Sequence, residues 1–178
     1  MQRTRTARRK RLVSLIVSLS LLVLLVVFDQ FSKNYFEKLY RSNGNTSVID
    51  GFFSFTYVVN KGAAWSFLAD KSWGQTFFKI LTIIALVLFV FFYIVSYKKC
   101  YRFLLYGISV ACAGTIGNFI DRLFYGGVTD FISFQFGSYN FPVFNLADIC
   151  LTVGVIIIIV HLLFLDENSV FGSNGKRD

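Results

Sequence analysis

Four nearly unbroken apolar stretches dominate the chain: Leu12 to Phe28, about Phe77 to Tyr97, about Phe103 to Ile120 and about Leu146 to Leu165. Each approaches the ~20 residues that a helix needs to cross ~30 Å of hydrocarbon. No charged side chain interrupts the first and third, while Lys79 stands near the start of the second and Asp148 near the start of the fourth. The first holds only 17 residues and is expected to end with Asp29 at the interface. The pattern predicts an all-α membrane fold with four transmembrane helices, about 12–28, 77–97, 103–120 and 146–165, in a single domain over 1–178. Two loops on one side, about 30–76 and 122–145, connect them in pairs.

The loops carry patterns of their own. Ser42-Asn43-Gly44-Asn45 is a turn signal, and Val48 to Val59 is rich in the β-branched and aromatic residues that suit strands. Asn60-Lys61-Gly62 offers a second turn. From Ala63 to Lys79, Trp65, Phe67, Leu68 and Trp73 mix with polar residues, which suits a short interfacial helix at headgroup level. The second loop is aromatic throughout, from Phe124 to Phe144.

Composition strengthens the membrane reading. The chain is 55% hydrophobic and 16% charged, against about 45–50% and about 25% in soluble globules. A net charge of +8 raises the question of nucleic acid, yet six basic residues fall in the first eleven positions, against an apolar run. Orientation of a membrane helix explains that placement better, so no nucleic-acid partner is expected. With the N-terminus inside, short cytoplasmic segments hold eleven Lys and Arg and the longer outer loops seven, so both termini are expected in the cytoplasm. The first apolar stretch exceeds the 7–15 residues typical of a signal-peptide core, and Phe28-Asp29-Gln30-Phe31 offers no small-residue cleavage site. It reads as a retained helix. Cys100, Cys112 and Cys150 lack metal-ligand spacing, and with His161 the sole histidine no zinc site is expected.

The acids carry the chemistry. Asp29, Asp121, Asp130 and Asp148 all fall at or near the expected outer face, where ionisable groups are costly and point to function. Each also has a plainer reading. Asp148 stands three residues after Asn145, a carboxylate variant of a capping box. Asp121 can pair with Arg122, and Asp130 alone is an ordinary loop acid. Together, Asp130 and Asp148 are 18 residues apart across a loop that returns to the membrane. Two carboxylates brought face to face cannot both ionise cheaply. The ionised one can take a proton from water while the neutral one donates to a carbonyl oxygen, which is peptide hydrolysis without metal or cofactor. His161 lies at the far end of the fourth helix, so a Ser-His-Asp triad lacks support. Gly114 and Gly117 suit close helix packing. Asn60, Asn118 and Asn145 read either as caps and interhelical hydrogen bonds or as holders of an extended peptide backbone.

Five ordered segments carry a resemblance: Phe28-Asp29-Gln30, Asn60-Lys61-Gly62-Ala63-Ala64-Trp65, Gly117-Asn118-Phe119-Ile120-Asp121-Arg122, Val128-Thr129-Asp130-Phe131 and Phe144-Asn145-Leu146-Ala147-Asp148. Over roughly residues 12 to 165 the chain resembles the lipoprotein signal peptidase family, also called signal peptidase II. The resemblance implies a membrane aspartic endopeptidase that removes signal peptides from bacterial prolipoproteins, cutting before a diacylglyceryl-modified cysteine. It implies Asp130 and Asp148 as the catalytic pair and Asn60, Asn118, Arg122 and Asn145 as polar positions of the substrate site, with Asp29 and Asp121 in support. Gly62, in a run of small residues, either lets the substrate backbone approach or makes a tight turn. The family's outer loop forms a small extracytoplasmic β-cradle with an interfacial helix, and its site binds globomycin-type inhibitors. The implied setting is the bacterial cell membrane, with membrane lipids around a monomer and the active site near the outer face. Thr129 departs from the apolar residue common at that position. Two rival readings remain: a small transporter or channel subunit that uses the acids to move protons or cations, which prefers acids spaced across the membrane depth whereas these cluster on one side, and a scaffold in which all four acids are caps and ion pairs.

Overall fold

The computed structural model describes residues 2–62 and 73–165. Its elements run α1 (Gln2–Asn43), β1 (Thr46–Ile49), β2 (Phe53–Asn60), α2 (Gly74–Lys99), α3 (Arg102–Phe124), β3 (Val128–Phe136), β4 (Tyr139–Asn140) and α4 (Leu146–Val160), which ends in a π-turn, His161–Leu165. Among the described residues, four helices are long and apolar enough to cross a membrane. Ala63, Ala64 and most of the expected interfacial helix lie outside the described residues.

The first helix overturns its expected end. It runs to Asn43, so Asp29 lies well inside it and the first loop starts at residue 44, not 30. At ~1.5 Å per residue its 42 residues reach about 60 Å, roughly twice the hydrocarbon thickness. Polar residues after Asp29 end the apolar span but not the helix. Nothing between Gln30 and Asn43 breaks a helix, and the stop comes at Gly44, whose φ of 69° is left-handed and whose N–H bonds the Tyr40 carbonyl.

α3 is the buried centre of the bundle and contacts α1, α2 and α4. Small residues allow this. A methyl group on Gly114 would collide with the Ala147 carbonyl, and one on Gly154 with the Ala111 backbone. Without a water-driven force between helices in lipid, such close backbone contact is what holds them together. Outward-facing Ile83, Val87 and Phe91 of α2 are exposed, as suits a lipid-facing surface. Cys112 is buried in an apolar cluster with Leu104 and Ile108, Cys150 is buried, and Cys100 is exposed.

The four strands form one antiparallel sheet in the order β1-β2-β3-β4. The aromatic second loop, read without strands, supplies half of it. The sheet rests on the extension of α1, where the Phe36 ring stacks between Phe55 (centroids 4.1 Å) and Phe131 (4.4 Å). A backbone bridge then fixes the site: Ile132 N–H donates to the Phe144 carbonyl at 2.8 Å, and Phe144 N–H to the Ile132 carbonyl at 3.1 Å. That bridge folds the chain before α4 back along β3.

Candidate active site

Four elements, β2, β3, α3 and α4 with its N-cap, deliver the paired carboxylates and their amides. β3 supplies Asp130, α4 supplies Asp148 from its first turn, and α3 supplies Asn118. The β2–β3 ladder pairs Val58 with Asp130 and Asn60 with Val128, so Asn60 and Asp130 sit two positions apart on one face. Asn60 Nδ2 accordingly donates to Asp130 Oδ2 at 3.1 Å. The Phe144 bridge brings Asn145 beside the same carboxyl, and Asn145 Nδ2 donates to Asp130 Oδ1 at 2.7 Å.

Asn145 also holds Asp148. Its side-chain oxygen accepts from the Asp148 N–H at 3.0 Å, and its own N–H donates to Asp148 Oδ2 at 3.1 Å. This reciprocal capping box was one of the plainer readings of Asp148, and the structure contains it. The box leaves Asp148 Oδ1 for Asn118 Nδ2, at 2.7 Å. One fully buried amide thus bonds both aspartates, and both carboxylates line a single cavity of about 630 Å³. Asn60, Gly62, Asn118 and Arg122 line it too, whereas Asn145 stands behind its wall.

Arg122 departs from its expected pairing with Asp121. Its Nη2 donates to the Gly62 carbonyl at 3.3 Å, and its guanidinium lies 5.4 Å from the Phe78 ring centroid. Its buried Nε has no partner among the described residues. Gly62 makes the tight turn, its N–H bonded to Asn60 Oδ1 at 2.9 Å. Thr129 contributes main chain: its N–H donates to Asp121 Oδ2 at 2.9 Å and its carbonyl accepts from Asn145 Nδ2 at 3.2 Å. The departure at that position therefore leaves these bonds unchanged.

Asp29 and Asp121 lie behind the cavity, around a lysine that the sequence reading counted only as a loop charge. Lys33 is buried, and its Nζ lies 2.8 Å from Asp29 Oδ2 and 3.1 Å from Asp121 Oδ2. Its third partner is Asn118 Oδ1 at 3.1 Å, on the same amide that holds Asp148. Gln30 Nε2 bonds Asp29, Asp121 and the Gly117 carbonyl. Asp29 Oδ1 accepts from the Ala147 N–H at 2.9 Å, tying α1 to the start of α4. The available signal was the i,i+4 spacing of Asp29 and Lys33, which has meaning only if the helix continues past Asp29.

Burial, and then the charge of Asp148, push the Asp130 carboxyl up to about 7, against the pull of its two amide bonds. An acid held there can give or take a proton near neutrality. The transport reading prefers acids spread through the membrane depth. Asp29, Asp121, Asp130 and Asp148 instead gather at one end of the bundle, in one hydrogen-bonded network with Lys33 and the amides.

Comparisons with known proteins place the chain in a family. The family model described as "Signal peptidase (SPase) II" matches residues 21–164. The chain is 42% identical over 146 residues to the protein named "Lipoprotein signal peptidase" of Staphylococcus aureus strains JH9 and Newman, covering 82% of this chain and 87% of theirs. It superposes with a TM-score of 0.68 and 40% identity on two solved structures titled as a bacterial membrane enzyme determined by the in meso method at 2.3 and 1.9 Å. These matches cover 83% of this chain and 87% and 92% of the solved ones. Such coverage, by a family model over most of the described bundle and by relatives over most of their own length, shows that the chain belongs to the signal peptidase II family of aspartic-type membrane endopeptidases.

Proposed function

We propose that this chain cleaves diacylglyceryl-modified prolipoproteins immediately before the lipidated cysteine, using water activated between Asp130 and Asp148. The observation that carries the reading is the position of Asn145, which bonds both carboxyls while they line one cavity. In this mechanism Asp148 takes a proton from the attacking water. Asp130, its carboxyl raised to about 7, donates its proton to the scissile carbonyl oxygen. The tetrahedral intermediate collapses as the departing amine takes the proton held by Asp148, and the carboxyl product returns one to Asp130. Asn145 is a positioning residue: it fixes the separation of the two acids without reaching substrate.

The cavity suits a substrate that stays in the bilayer. Asn60, Asn118 and Arg122 form its polar end, and Ile149, Leu151 and Val153 of α4 its apolar wall. The polar end can hold an extended peptide, with the Arg122 guanidinium toward its carbonyls, while the apolar wall accepts signal helix or acyl chain. The test is cleavage of a diacylglyceryl-modified prolipoprotein by purified protein in detergent or liposomes, for wild type, Asp130→Asn and Asp148→Asn. Loss of cleavage in both, with unchanged thermal unfolding, is expected. Full activity in either variant removes that residue from the chemistry, and an unmodified prolipoprotein cut equally fast removes the diacylglyceryl requirement.

A further inference from the structure

The end of the bundle away from the aspartates holds a second cavity, of about 140 Å³, between the start of α1, the end of α2 and the start of α3. Its lining includes Lys10 and Arg11 of α1, Ser96 and Cys100 of the α2 end, and Tyr101 and Arg102 at the α3 start. At ~30 Å³ per water it has room for a group the size of a phosphate.

Among the described residues the charge around it is one-sided. Arg8, Arg9, Lys98 and Lys99 join the three lining cations at this end, and every Asp and Glu among the described residues lies from Asp29 onward in the half that carries the sheet and the paired aspartates. None of Lys10, Arg11 and Arg102 forms an ion pair among the described residues; the ion pairs there are Lys33 with Asp29 and Asp121, and Arg41 with Glu37. Two of these cationic side chains are anchored rather than free in solvent. Arg11 Nε donates to Cys100 Sγ at 2.7 Å, across from α1 to the end of α2, which leaves its two terminal nitrogens available. Lys99 Nζ sits over the Tyr101 ring, 5.6 Å from its centroid.

The backbone adds to this. Two of the last carbonyls of α2 are occupied, since Tyr101 N–H bonds the Ser96 carbonyl and Cys100 N–H the Tyr97 carbonyl. The α3 N-terminus has no side-chain cap, so the positive end of a 23-residue helix opens at the cavity wall. The remaining lining is mostly carbon, including Leu105 and the stems of the long cations. An apolar cleft rimmed by cations between membrane helices matches the chemistry of a lipid whose anionic headgroup is joined to a glycerol and acyl body.

We infer that this cavity binds the phosphate of an anionic glycerophospholipid, with Lys10, Arg11 and Arg102 as its cationic contacts. Helix orientation by basic residues accounts for the number of charges at this end. It does not account for three of them converging from two helices on one cleft.

The test uses the full chain in detergent micelles doped with phosphatidylglycerol or phosphatidylcholine, with bound lipid counted by native mass spectrometry. Wild type is expected to retain phosphatidylglycerol at least about tenfold better than phosphatidylcholine. The triple variant Lys10→Gln/Arg11→Gln/Arg102→Gln is expected to lose that preference. The control Arg8→Gln/Arg9→Gln/Lys98→Gln removes the same charge from the same end without touching the cavity, and is expected to keep it. Equal loss in both triples means diffuse attraction and overturns the site, as does retention in the cavity triple. Displacement by inorganic phosphate at equal concentration overturns the lipid assignment in favour of a free-anion site. Thermal unfolding in lipid-free detergent checks that each variant is folded. Should the cavity triple fail that check, Arg102→Gln alone decides, with a several-fold loss of preference expected and an unchanged preference counting against the site.

Discussion

The protein contains two pairs of aspartates less than one cavity wall apart, and their surroundings differ in one respect. Asp29 and Asp121 have a lysine between them, within 3.1 Å of both carboxylates. Asp130 and Asp148 have amides, from Asn60, Asn118 and Asn145, and no cation within ion-pair distance among the described residues. The first pair is a tie that locks α1, α3 and the start of α4. The second is left with an unsettled proton, which is what acid–base chemistry uses. Residue type does not separate the pairs; the partner does. Asn118 joins them, accepting from Lys33 on its oxygen and donating to Asp148 from its nitrogen. That fixes which way round the amide lies, and so which group it presents to Asp148.

The comparison is broken most directly at the amide-held pair. Asp130→Asn or Asp148→Asn is expected to reduce cleavage about 10³-fold or more while leaving the unfolding temperature within a few degrees of wild type. A turnover assay paired with thermal unfolding in detergent reads both. The lysine-centred pair is expected to respond the other way round. Lys33→Met leaves two buried carboxylates without their cation and should cost about 3–5 kcal/mol of stability. Adding Asp29→Asn and Asp121→Asn to that variant should recover much of the loss, since no charge then remains to be paired. A denaturation series on the single and triple variants measures it, and a single variant as stable as wild type would show the tie to be dispensable.

A smaller effect tests the packing that holds the pairs at their distance. Gly114→Ala puts a methyl group against the Ala147 carbonyl, immediately before Asp148, and should cost about 1–3 kcal/mol as α4 moves off α3. Cleavage should fall with it, because Asp148 travels with that backbone. Gly44→Ala, with open space around it, should not disturb the site.

The smallest effect is on pH. Asp130 has its pKa raised from the ordinary carboxylate range to about 7, so the folded protein holds a proton there that the unfolded chain releases. Its contribution to stability is therefore complete at acid pH and is lost as pH rises through about 7. Cleavage should fall over the same limb, as the donor loses its proton. Asp130→Asn should flatten the stability slope between about pH 4 and 7, since an amide does not titrate. A slope unchanged in that variant would assign it to another group.

Much of this was legible in the chain. Apolar runs of membrane-spanning length gave four helices, because a helix in lipid needs only enough carbon to cross. The Asn145 to Asp148 spacing announced a capping box, since that contact is local and set by helix geometry. The four acids could be placed at one end from helix topology. The length of α1 was not legible from apolarity: Gln30 to Asn43 are polar enough to leave the membrane yet contain no residue that ends a helix. Lys33 was hidden by that same boundary, since on a loop its charge is ordinary and on a continuing helix it falls one turn after Asp29.

What the sequence determined by itself, then, is what depends on neighbours along the chain: spans, caps, turns and the identity of the acids. Which acid meets which partner was decided by tertiary structure. Asn118 on α3, Asn145 before α4 and Asp130 on β3 converge because Phe144 pairs with Ile132 and because Gly114 lets α4 lie against α3. A carboxylate's proton is held or released by groups a few ångströms away in space, and for Asp130 two of those groups, Asn145 and Asn60, are 15 and 70 positions away along the chain.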